Sequence, residues 1–109
     1  MQVVKVSTAQ TKIKGSLTDD RVLILCDTTL GVFTFYVPLG GGSVTREIII
    51  KNIGINNLFV SFDMNSQLCV SSGKISVKTL APDECLPIMN DKTTGKWYQI
   101  NNSVATYST

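Results

Sequence analysis

The chain has 109 residues, of which 43% are hydrophobic and 17% charged, and its formal charge is +2. That length allows a single domain with a small core of its own, and that composition excludes a disordered chain. The basic residues Lys5, Lys12, Lys14, Arg21, Arg46, Lys51, Lys74, Lys78, Lys92 and Lys96 are scattered over the whole length, so the basic stripe of a nucleic-acid binder is missing and no nucleic-acid partner is expected.

Residues 1–20 read as an extended N-terminal arm that opens on the short apolar run QVVKVS (2–7). After VVKV the stretch is polar, with only Ile13 and Leu17 as isolated apolar positions. The start has neither the long apolar core nor the cleavage site of a secretory signal, and no run approaches the roughly 18 apolar residues of a membrane helix. Synthesis in the cytoplasm and no membrane partner are expected.

Residues 21–100 carry short apolar runs separated by Gly, Pro, Asn, Asp and Ser. The runs are RVLILC (21–26), VFTFYV (32–37), REIIIKN (46–52), NLFVSF (57–62), QLCV (67–70), KISVKTL (74–80), ECLPIM (84–89) and KWYQI (96–100). Their regular, close spacing predicts an all-β module of about 7–9 short strands, a small antiparallel β-sandwich, barrel or prism-like form. Gly54-Ile55-Asn56-Asn57 and Ser71-Ser72-Gly73 have the chemistry of turns that admit positive φ. Leu39-Gly40-Gly41-Gly42-Ser43 predicts a longer loop. Pro87 removes a ladder donor and predicts an edge or interrupted strand. Residues 101–109 form a polar C-terminal tail.

Alternation within the runs assigns faces. Phe33 and Phe35 share one side of their strand, and KISVKTL sets Ile75, Val77 and Thr79 against Ser76, Lys78 and Leu80. RVLILC and EIII are instead apolar on both faces, and such strands need cover on each side. A chain this short has little material for a second cover, so either the first twenty residues fold over these strands or, the favoured reading, a partner subunit supplies the cover. Phe33, Phe35, Ile48, Ile50, Phe59 and Trp97 are the candidate core or subunit-interface anchors.

The sequence offers little for catalysis, and no enzymatic activity is expected. It contains no histidine, which removes the commonest general base and metal ligand and every histidine-dependent triad. Asp19-Asp20 and Asp83-Glu84 are adjacent acidic pairs, but neighbours on a strand point to opposite faces. Cys26, Cys69 and Cys85 are irregularly spaced, fit neither a zinc site nor a disulfide framework, and read as free, buried thiols. Gly40-Gly41-Gly42 lacks the Lys-Ser/Thr of a phosphate loop. No cofactor or metal is expected. The rings of Phe33, Phe35, Tyr36, Phe59, Phe62, Trp97 and Tyr98 are not interleaved with positive charge, as a base-stacking platform would be.

From Arg21 to Ile100 the order of elements resembles a module of tailed-phage fibres, tail spikes and head-decorating proteins. The segments are RVLILCD (21–27), VFTFYVPLGGG (32–42), REIIIKNIG (46–54), LFVSF (58–62), VSSGKISVKTL (70–80) and TGKWYQI (94–100). Ile48, Ile50, Lys51, Asn52 and Gly54 match its most distinctive strand and turn, and Trp97 and Tyr98 match its closing strand. The chain departs from the module at Val37-Pro38, Ser72-Gly73 and Pro87. The resemblance implies a non-enzymatic virion protein, commonly a homotrimer, whose partners are capsid or other virion proteins. An auxiliary or decoration capsid protein, or a head-fibre protein, is the leading expectation. The alternative is a tail-fibre or baseplate module that binds host surface glycan through Trp97 or Tyr98.

Overall fold

The computed structural model describes residues 1–8, 19–41 and 45–100. Ten short strands, and no helix, account for the regular structure of these residues: β1 (Gln2–Val6), β2 (Arg21–Cys26), β3 (Phe33–Tyr36), β4 (Glu47–Asn52), β5 (Leu58–Ser61), β6 (Leu68–Val70), β7 (Gly73–Ile75), β8 (Val77–Leu80), β9 (Cys85–Asn90) and β10 (Trp97–Gln99). They form a seven-stranded sheet of order β1-β2-β4-β9-β10-β6-β7 and a three-stranded sheet of order β3-β5-β8. The all-β architecture expected from the spacing of the runs is the one observed.

The pairing is mixed where an antiparallel module was expected. β1 runs parallel to β2, β2 to β4, β3 to β5 and β6 to β10, while the remaining four pairings are antiparallel. The cause is the route of the chain. From β2 to β5 it alternates between the two sheets, and each return lands beside the previous strand in the same direction, as in a coil of a solenoid. Short runs at regular spacing specify strands but not whether the next strand lies in the same sheet. The antiparallel β9 and β8 then join β4 and β5.

Alternation selects the core. Val22, Ile24 and Cys26 of β2, Ile48 and Ile50 of β4, and Leu86 and Ile88 of β9 point inward and are essentially fully buried. Phe35, Val37, Leu58, Val60, Phe62 and Leu80 meet them from the smaller sheet, and Leu68 and Trp97 complete the packing. Apolar burial of this kind contributes about 25 cal/mol per Å².

Several local readings change. The run QVVKVS forms the strand Gln2–Val6, in register with Val22–Cys26; residues 9–18 of the arm, 42–44 of the glycine loop and the tail 101–109 lie outside the described residues. KISVKTL is two strands, broken at Ser76, where the chain leaves the large sheet for the small one. Consequently Ile75 packs against the core while Val77 faces outward. ECLPIM is neither an edge strand nor interrupted: β9 is continuous between β4 and β10. Pro87 stands opposite Ile49. The Asn52 N–H donates to Glu84 O and the Asn90 N–H to Arg46 O, which places the hydrogen-bonded pairs of this ladder at the even positions of β9. Pro87 occupies a non-hydrogen-bonded position toward β4, so its missing donor removes nothing there. On the β10 side its carbonyl accepts the Ile100 N–H at 3.1 Å.

Candidate assembly surface

The outward face of the large sheet is built by the residues that alternation excludes from the core. Strand registry aligns Val3 with Leu23, Leu23 with Ile49, and Ile49 with Pro87. The Ile100 bond to Pro87 extends this row to the end of β10. The result is an unbroken apolar row across four adjacent strands, continued by Ile100 just past β10, about 19 Å long at the usual interstrand spacing. Val3 is 58% exposed, and Leu23, Ile49, Pro87 and Ile100 are half-buried.

Mixed rows flank it. On one side stand Lys5, Leu25, Lys51 and Cys85; on the other stand Arg21, Glu47, Met89, Tyr98 and Cys69. Arg21 Nε donates to Glu47 Oε1 at 2.8 Å, and Lys51 Nζ lies 3.3 Å from Asp83 Oδ1. Exposed pairs of this kind contribute little stability, but they hold the charges beside the apolar row. Tyr98 and Met89 remain substantially exposed. The proximity of Cys69 raises the Tyr98 phenol above its ordinary value, chiefly through the charge of the thiolate.

Two buried asparagines fix the ends of this sheet. Asn52, the last residue of β4, donates through Nδ2 to Asn56 O at 2.7 Å and Leu80 O at 3.0 Å. Its Oδ1 accepts from the Thr28 hydroxyl at 2.8 Å and from the Gly54 N–H at 3.1 Å. One side chain thereby ties the β2–β3 and β4–β5 loops to the end of β8. Gly54 is required here by contact, not by the positive φ expected of the turn: a Cβ would collide with the backbone nitrogen and hydroxyl of Thr28. At the opposite end, Asn90 donates to Gly40 O and accepts the Arg46 N–H at 2.6 Å. The Ser66 hydroxyl accepts the Gly40 N–H at 3.1 Å. Among the described residues no buried side-chain nitrogen or oxygen lacks a partner, so the outward face rests on a satisfied scaffold.

The anchors expected from the sequence divide between the faces. Phe35, Ile48, Ile50 and Trp97 are core residues, and the Trp97 indole donates to Pro38 O at 3.1 Å. Phe33 is half-buried against the core. Phe59 is 37% exposed on the outward face of the small sheet, between Thr34 and Thr79 in register. Leu23, Ile49, Val3 and Pro87 were not among those anchors, although the signal was present in RVLILC and EIII, which are apolar at successive positions. Ring size favoured the aromatics, whereas the outward surface is made by register between aliphatic strands.

No group of three or more His, Cys, Asp or Glu side chains that could hold a metal occurs among the described residues. Burial pushes the Cys26 thiol up to about 12, which removes it from thiolate chemistry near neutral pH. The Thr29 hydroxyl and amide hold the exposed Asp27 carboxyl below its ordinary value, the chemistry of a local turn. Comparison with protein-family models, with curated proteins and with solved structures found no significant match for this chain.

Proposed function

We propose that this chain is a structural protein of a tailed-phage particle, an auxiliary or decoration capsid protein or a head-fibre protein. In this reading it works by docking to other virion proteins and performs no chemistry of its own. The observation that carries the proposal is the apolar row Val3, Leu23, Ile49, Pro87 and Ile100 on the outward face of the large sheet. A sheet face of this kind gains free energy when a second surface removes it from water. The ordered likeness of residues 21–100 to the phage module supplies the particle.

The test is co-sedimentation of the full chain with mature phage heads. Saturable binding in many copies per head is the expected result, weakened by Leu23→Lys on the outward face. Failure to sediment with heads overturns the head assignment. The glycan reading loses its strongest residue, because Trp97 is only 1% exposed and its indole N–H is engaged. It would rest on Tyr98 alone.

A further inference from the structure

We infer that the outward face of the large sheet pairs with the same face of a second copy of this chain, about a twofold axis lying along the apolar row. The inference deepens the assembly reading above and rests on it. Three features of the face point to a second copy.

The first is symmetry of character. Glu47 and Lys51 stand on the same outward side of β4, on either side of Ile49. A twofold axis along the row exchanges the positions on its two sides. Ile49 of one copy then meets Ile49 of the other, and Glu47 meets Lys51 twice, once at each side of the axis. On β9 the same operation brings Cys85 opposite Met89, with Pro87 on the axis. The charge match thus falls on β4 and the apolar match on β9, while on β2 the same operation sets Arg21 beside Leu25.

The second is area. β1, β2, β4 and β9 have five or six residues each, and β6, β7 and β10 have three. At the usual strand rise and spacing their face has a footprint on the order of 500 Å². The accessible area of a side-chain-covered face exceeds its footprint, which brings it near the roughly 800 Å² per partner of a stable interface.

The third is shape. The row lies on consecutive strands of one continuous sheet, and two such faces stack about 10 Å apart in aligned sheet packing. A surface built for a loop or a small ligand would be concave instead.

The experiment is the solution mass of the full chain by light scattering across a concentration series, alongside Ile49→Lys and, as a control on the other sheet, Val77→Lys. The expected result is a mass of two chains for the native protein and for Val77→Lys. Ile49→Lys should give one chain with its β-sheet circular dichroism retained. A native mass of one chain overturns the pairing, whatever the variants do, and leaves the face to a different virion protein. A mass of three chains, the state implied by the phage resemblance, overturns the twofold arrangement. A dimer that survives both Ile49→Lys and Leu23→Lys overturns the choice of face. Head binding reads the broader proposal separately: a dimer that ignores heads leaves the pairing standing and removes the capsid role.

Discussion

Ile48, Ile49 and Ile50 are three identical side chains in succession on β4, and the fold uses them in two ways. Ile48 and Ile50 lie against Ile88 and Leu86 across the β4–β9 ladder and are fully buried. Ile49 projects from the other side, opposite Pro87, and keeps part of its surface in water. The inner side of the sheet is closed by the chain itself, through Phe35, Leu58, Val60 and Trp97. The outer side carries one apolar row between mixed rows that include Lys5, Lys51, Arg21 and Glu47. Folding stability therefore resides on the inner face, and the association proposed above on the outer one.

The largest test of that division is Trp97→Ala. It removes the largest fully buried side chain together with its bond to Pro38 O. A loss of about 3–5 kcal/mol is expected, read by urea denaturation. Ile50→Ala should fall close behind, at about 2–5 kcal/mol. A Trp97 variant that unfolds no more easily than the native chain would break the assignment of the inner face as the seat of stability.

Next in size is Asn52→Ala, which takes away the clamp joining both faces' scaffolding. The Gly54 N–H loses its acceptor and Leu80 O a donor. Stranding buried polar groups in this way costs about 1–3 kcal/mol each. The expected loss is therefore about 3 kcal/mol in denaturant midpoint measurements at unchanged slope, with solution mass unaffected if the outer face stays flat. An altered mass would mean that the loops, and not the apolar row, govern association.

Some of this was legible in residues alone. The strands, the inward set on β2 and β4 and the two-faced character of RVLILC follow from alternation, because side-chain direction on a strand has period two. Asn52 and Gly54 stood out in the KN-x-G pattern, but their reason did not: Thr28, Asn56 and Leu80 come together only when the chain has crossed between sheets. Parallel pairing was hidden for the same reason. The position of Pro87 in a central strand needed the parity of the β4–β9 ladder, which no local pattern carries. The apolar row is likewise a property of four registers at once, which no single run displays.

A pH-dependent effect comes from Cys26, an inner-face thiol that burial pushes from its ordinary value of 9.0 to about 12. The folded state holds this proton more tightly than the unfolded state. Its contribution is fully present below pH 9.0 and is lost as pH rises through about 12. Native protein should therefore lose stability across that window more steeply than Cys26→Ala, in urea titrations run at a series of alkaline pH values. Equal slopes would show that the thiol is not held in the dry interior. Below pH 9.0 the two should differ by a constant packing cost only.

Ile49→Ala has the smallest expected effect on folding and the sharpest bearing on the comparison. In dilute solution a half-buried outward side chain with no cavity to leave behind should cost about 1 kcal/mol, well under the cost of Ile50→Ala one residue away. At high concentration the order of consequences reverses: Ile49→Ala should shift the association midpoint to higher concentration, while Ile50→Ala should leave that midpoint unchanged at temperatures where the variant stays folded. Sedimentation velocity on both variants, paired with urea denaturation at low concentration, separates the two quantities. If Ile49→Ala destabilises the dissociated chain as much as Ile50→Ala does, then its side chain is covered by its own chain, and the division between a folding face and an assembling face disappears.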